Sequence, residues 1–230
     1  MKSKLAAKGL TGINLEHALA IYTYTLSDPP VYEAINMQLV SPDREKAGLL
    51  NQSLLACMPF IKYLDFALDS LPASFHYHGK AFRGVKWVFP SPEKHDPDSH
   101  FWKGKLVYFY SFKSASKSNK TMSNELFCGK DGPRTIFTID AELGWDVSLF
   151  SRFAEEAEIM FRPLSSFECA AVTSLHEAGF PDNVILQQKT AGLRYSLPGF
   201  GAALAGGHLV VGGGAGMPPP LACRRRRAAQ

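Results

Sequence analysis

The feature that most constrains this chain is a change of hydrophobic period at Leu71-Pro72. Before it, Leu15, Ala18, Leu19 and Tyr22 recur at helical spacing and predict an amphipathic helix opening at Asn14 as N-cap. Ser27-Asp28-Pro29-Pro30 ends that helix, and a second is expected from Val31 to Leu39 with Ile35 and Leu39 on one face. A third run starts at Ser41-Pro42-Asp43 and continues through Leu49, Leu50, Leu54 and Leu55 towards Leu68, with Pro59 dividing it into two helices. After Leu71-Pro72 come short β-rich runs: Phe75 to Tyr77, Ala81 to Trp87, Lys105 to Phe112, Arg134 to Ile139, Glu158 to Phe161, Ser166 to Thr173 and Asn183 to Gln188. Pro90-Ser91-Pro92 and Lys130-Asp131-Gly132-Pro133 read as turns between them, and a further turn is expected at Gly144. Helices first and strands afterwards predict an α+β domain with mainly antiparallel sheets rather than alternating parallel units.

Length and composition set the limits. A chain of 230 residues, 46% hydrophobic and 20% charged, suits one ordinary domain with a tail. Its net charge of +4 sits in the terminal block Arg224 to Arg227, which leaves the rest close to neutral, so nucleic acid is not expected as the primary ligand. Residues 199 to 222 are dominated by Gly, Ala and Pro, and no acidic residue follows Asp182; this composition predicts a disordered tail. The expected organisation is an N-terminal extension (1–13), a catalytic domain (14–192) and the Gly/Ala/Pro-rich tail with its arginine run (193–230). Cys57, Cys128, Cys169 and Cys223 show neither a C-x-x-C pair nor metal-ligand spacing, and read as free thiols with no metal site. No apolar run is long enough for a signal peptide or a membrane span, so a cytoplasmic monomer with no membrane partner is expected. The terminal arginines would support nuclear localisation, and a leader ahead of Met1 would make the chain secreted.

Four ordered segments carry the chemistry. They are Phe82-Arg83-Gly84-Val85 on a predicted strand, Phe112-Lys113-Ser114-Ala115-Ser116 at a strand end, Gly144 to Ser151, and Glu155-Glu156-Ala157-Glu158 before the apolar run Ile159-Met160-Phe161. Each alone has a bland reading: a solvated arginine by a turn, a polar strand end, an acidic turn. Together, in this order, they resemble the arginine-specific mono-ADP-ribosyltransferases, whose signature is Arg, then Ser-x-Ser, then Glu-x-Glu. The resemblance spans about Asn14 to Gln188. It includes helices similar to Ala18–Leu26 and Tyr32–Leu39, and Glu158 to Pro163 resembles that family's Glu-Val-Leu-Ile/Phe-Pro-Pro. It implies N-terminal helices followed by two packed, mainly antiparallel sheets around an NAD cleft, with NAD as co-substrate and accessible protein arginines as acceptors.

On that resemblance the catalytic candidates are Glu158, Glu156, Ser114 and Arg83, and the NAD-binding candidates are Arg83, Gly84, Ser114, Ser116 and Phe127. Breaking the nicotinamide–ribose bond creates an oxocarbenium-like centre, which suits a carboxylate at Glu158. The Arg83 fork suits a pyrophosphate, and Gly84 admits close backbone approach. Ser114 would orient Glu158 or the ribose, and Glu156 would pair with the acceptor guanidinium. Lys117 to Gly132 is expected to close over nicotinamide, with Phe127 either stacking on the ring or filling the core. Ala115, where the family usually has threonine, Lys113 and Arg162 depart from the pattern. Two further readings stand beside the transferase: an NAD glycohydrolase, and a catalytically weak NAD-binding module of the same fold. His76 and His78, at period two on a strand, read as surface or core residues before a metal pair.

Overall fold

A computed structural model of the chain describes residues 5–6, 12–43, 45–46, 49–89, 101–125 and 127–192. The predicted tail 193–230, with Cys223 and the arginine block, and the Pro90-Ser91-Pro92 turn lie outside the described residues.

Helix α1 (Leu15–Tyr24) starts where the sequence predicts, with the Asn14 Oδ1 accepting the Glu16 N–H at 2.8 Å. Its buried face is Ala18, Ala20, Ile21 and Tyr24, while Leu15 and Leu19 remain over a third exposed, so the helix is rotated from the predicted stripe. Helix α2 (Val31–Val40) buries Ile35 and Leu39 as expected. The third run differs from its prediction. Two short strands, β1 (Glu45–Lys46) and β2 (Leu49–Leu50), pair antiparallel, and one helix, α3 (Gln52–Asp69), passes through Pro59 without a break. Leu54, Met58, Ile61, Asp65 and Leu68 form one buried stripe on both sides of the proline. Burying apolar side chains of this size stabilises by about 1.5–3 kcal/mol each, against roughly 3 kcal/mol lost to a mid-helix proline. Packing wins.

Seven longer strands follow: β3 (His76–Val85), β4 (Leu106–Phe109), β5 (Lys113–Ser116), β6 (Thr135–Asp146), β7 (Glu158–Phe161), β8 (Ser165–Thr173) and β9 (Asp182–Ala191). They form one seven-stranded mixed sheet in the order β3-β5-β7-β6-β9-β8-β4, not the two packed sheets expected. The cause is β6, which hydrogen-bonds to three partners. It pairs antiparallel with β3, parallel with β9 over Thr135 to Asp140, and through Trp145 and Asp146 with β7. The turn expected at Gly144 is absent, and that glycine sits inside β6. A Cβ there would lie 2.6 Å from Ile159 Cγ2, so the glycine lets β7 approach. The single strand expected over Lys105 to Phe112 is also corrected. The chain leaves β4, an edge strand paired with β8, and crosses to pair as β5 with β7.

Two cores result. Helices α1 to α3 pack with Phe112, Trp145, Val147, Phe150 and Met160, and all seven long strands contribute to a second cluster that includes Phe109, Phe137, Ile159, Phe161 and Phe167. Strand β7 is buried along its whole length between them, sending Met160 one way and Ile159 and Phe161 the other. Cys57, Cys128 and Cys169 are free thiols. His78 Nδ1 bonds the Glu142 carbonyl and His76 packs edge-on to Trp145, so neither faces the other as a metal pair would.

Candidate active site

The predicted residues converge on one cleft of about 340 Å³, partly open to solvent and lined by Phe82, Arg83, Gly84, Ser114, Ala115, Ser116, Met122, Phe127, Glu156 and Glu158. Four stretches of chain supply them: β3, β5, the segment that follows β5, and the start of β7 with the loop ahead of it. Arg83 stands on β3, and its Nη1 donates to the Ser114 carbonyl at 2.7 Å. Ser114 lies on β5, and its hydroxyl donates to Glu158 Oε1 at 2.5 Å. Glu158 opens β7, opposite Ser116, and is about nine-tenths buried. The serine therefore fixes the carboxylate from one side while its backbone holds the arginine from the other.

Glu156 is positioned by the loop ahead of β7. A 3₁₀ turn, Ala154–Glu156, ends at Ala157 in the left-handed region (φ 48°, ψ 50°). The Ser116 hydroxyl donates to the Glu156 carbonyl at 2.7 Å. The Lys117 N–H donates to Ala157 O at 3.0 Å and the Val147 N–H to Glu158 O at 3.0 Å. Every residue from 156 to 158 is thus tied by its backbone to β5, β6 or their extensions. Two carboxylates of unlike task can be held apart in this way, one on a strand and one on a loop.

The arginine has capacity to spare. Its Nε is buried with no hydrogen-bond partner among the described residues. Orphaned buried N–H groups are rare, and one on a guanidinium fits an anion ligand such as a phosphate. Burial lowers the Arg83 pKa and the neighbouring Tyr24 phenol opposes that shift, but a guanidinium stays charged.

Gly84 has a second reason to be glycine. A Cβ would come within 2.6 Å of Cys128 Cβ and 3.2 Å of Met122 Sδ, because the segment after β5 packs directly onto β3. That segment carries the short 3₁₀ helix Asn119–Ser123, with Met122 buried against the cleft and Phe127 half-buried in its wall. Ala115 is packed among the strand-core side chains, so an alanine suits apolar surroundings where a hydroxyl would need a partner. Arg162 is explained by packing. Its Nε lies 2.8 Å from Asp65 Oδ1, its Nη2 lies 2.8 Å from Asp69 Oδ1, and its guanidinium stacks 4.2 Å over Trp145.

Sequence reasoning missed Tyr24, Asn36 and Met122. Tyr24, the last residue of α1, is 3% exposed, and its hydroxyl accepts from Asn36 Nδ2 at 2.8 Å. Burial pushes the phenol well above its ordinary value, Asn36 opposes, and of the charged groups Glu158 pushes it further up while Arg83 draws it down. An apolar helix ending in tyrosine carries no sequence signal that its hydroxyl reaches towards a site on strands β3 and β7. Lys113, noted as unusual, is 5% exposed.

The family model described as NAD:arginine ADP-ribosyltransferase matches residues 4–191. No curated protein sequence matches the chain. Among solved structures, the chain is similar to HopU1 of Pseudomonas syringae pv. Tomato DC3000, at TM-score 0.61 and 21% identity, over 82% of this chain and 83% of that one. It is similar to the Vis toxin of Vibrio splendidus, at TM-score 0.58 and 20% identity, over 78% and 75% of the two chains. The eucaryotic mono-ADP-ribosyltransferase ART2.2 superposes at TM-score 0.57 and 23% identity, over 82% and 72%. At these identities the structures establish a shared fold.

Proposed function

Because the chain belongs to the NAD:arginine ADP-ribosyltransferase family, we propose that it transfers ADP-ribose from NAD to arginine side chains of acceptor proteins through Arg83, Ser114, Glu156 and Glu158. The observation that carries these roles is the Ser114 hydroxyl on Glu158 at 2.5 Å, with Arg83 on the Ser114 carbonyl in the same cleft. In the reaction the C1′–N bond of NAD breaks and its electron pair leaves with nicotinamide. Glu158, oriented by Ser114, stabilises the positive ribosyl centre. Arg83 holds the pyrophosphate with donors that include its unpartnered Nε. A guanidine nitrogen of the acceptor attacks C1′, and the proton it loses passes to the Glu156 carboxylate and then to water. Met122, Phe82 and Phe127 supply apolar wall for the leaving nicotinamide. Two relatives agree with the substrates: a structure of Vis contains agmatine, and one of an ART2.2 variant contains NADH.

The test is incubation with NAD labelled in the adenosine half and agmatine as acceptor, with nicotinamide release followed in parallel. Wild type transfers label; Glu158→Ala loses transfer and nicotinamide release together by about 10²–10³-fold, the usual loss when a fixed charge at a reacting centre is removed. Wild type that releases no nicotinamide and labels no acceptor overturns the reading.

A further inference from the structure

Glu156 and Glu158 stand on one short stretch of backbone, and that stretch is gripped from both sides. Strand β7 lies between β5 and β6 in the sheet, so its first residue and the loop ahead of it enter between the ends of those two strands. From the β5 side the Lys117 N–H donates to Ala157 O, and from the β6 side the Val147 N–H donates to Glu158 O, each at 3.0 Å. One more bond closes the ring. The Lys117 ammonium donates to Asp146 Oδ2 at 2.6 Å, so the residue that holds Ala157 is itself bound to the residue before Val147. Asp146 is fixed in turn, because its Oδ1 accepts the Ser148 N–H at 3.1 Å and the Ser148 hydroxyl. The ion pair crosses behind the Glu158 carboxylate. Asp146 stands opposite Ile159 in the β6–β7 pairing, and Ile159 packs into the strand core, on the face of β7 opposite Glu158. Two strand spacings separate β5 from β6, so the pair spans roughly 10 Å of sheet. Neither residue lines the cleft. Both side chains are partly exposed, and such a pair adds little to stability by itself. What it fixes is the separation of two strand ends.

Resting on the transferase reading of the cleft, we propose that Lys117 and Asp146 are positioning residues for the acceptor carboxylate: their ion pair holds the ends of β5 and β6 together across β7 and so sets where Glu156 stands relative to Glu158. Glu158 has its own fixation in the Ser114 hydroxyl and the β5–β7 pairing. Glu156 is carried by the loop, and the Lys117 N–H bonds the Ala157 carbonyl in that loop's left-handed turn. Loosening the pair therefore displaces Glu156 and leaves Glu158 in place. Capture of the acceptor guanidinium suffers, and breaking of the C1′–N bond does not.

The test separates the two steps in one assay, with adenosine-labelled NAD and nicotinamide release measured with and without agmatine. Lys117→Met keeps acceptor-free nicotinamide release close to wild type. Its agmatine KM rises by about tenfold, short of the ~100-fold that a 1 Å misplacement can cost. Lys117→Arg, which keeps a cation for Asp146, restores transfer. Asp146→Asn keeps an acceptor for Ser148 and loses the charge; it reproduces the defect, and decides by the same split if Lys117→Met fails to fold. The two substitutions together are no worse than either alone, since both break one link. An unchanged agmatine KM in both variants, a proportional fall of transfer and nicotinamide release, or additive defects overturns the proposal and leaves the transferase reading intact. Wild type that labels no agmatine overturns the transferase reading, and this proposal with it.

Discussion

Glu158 and Glu156 sit two positions apart, yet the structure gives them different surroundings. Glu158 is nine-tenths buried on a strand and bonded by Ser114, whereas Glu156 is half-buried on a loop held through its backbone. Under the proposed roles Glu156→Gln should abolish label transfer to agmatine while sparing nicotinamide release, since water needs no carboxylate paired to a guanidinium. Equal loss of both activities, read in one assay, would merge the two tasks. Between the carboxylates, Ala157 at φ 48° occupies backbone space that costs an L-residue about 1–2 kcal/mol. Ala157→Gly should keep activity with little change in urea midpoint, and Ala157→Val should lower stability by about that amount or more and reduce activity with it. The convergence of Arg83, Ser114 and Glu158 was legible in the sequence through the ordered resemblance of their segments to the arginine-specific mono-ADP-ribosyltransferases, since each segment alone reads as an ordinary strand end or turn. Tyr24 was not, since its relation to Glu158 is made by helix docking across more than a hundred residues.

Among elements, α3 and β7 are joined by a buried ion pair that no local pattern announces. Arg162 Nε and Asp65 Oδ1 are 2.8 Å apart and both side chains are under a tenth exposed. Arg162→Met should destabilise the protein by about 3–5 kcal/mol, because a buried carboxylate is left without its cation. Arg162→Met with Asp65→Leu should recover most of that loss in urea denaturation, and failure to recover would assign the energy to the stacking on Trp145 instead. The same scale shows where sequence reading stops. Helix starts at Asn14 and the buried pair Ile35 and Leu39 are local properties and were read correctly. The uninterrupted α3 and the split of β4 from β5 depend on what each segment packs or pairs with, which residue spacing does not encode.

At the scale of the whole molecule, stability and pH are linked through Lys113. A lysine titrates near 10.4 in an unfolded chain and at about 7 here. Between those values the unfolded state binds more protons, so this residue makes stability rise with pH across that window, its penalty being full below about 7. Lys113→Met should therefore be more stable than wild type near pH 7, with the gap closing towards pH 10 in parallel urea titrations; a gap independent of pH would remove the linkage. That the strands form one sheet and not two was hidden because it turns on the backbone pairings of β6 with β3, β7 and β9, which side-chain patterning does not encode. β6 pairs directly with β3 and β7, and β5 pairs with both of those strands, so every strand that bears a site residue is bonded to β6 or to its direct partners. The amide hydrogens of Phe137 and Ile139 should then exchange with deuterium only when the entire domain opens, and at the same slow rate as those of Ile159 and Met160 beneath the cleft. A toehold for partial opening, if a protease were to seek one, would have to lie away from the chemistry.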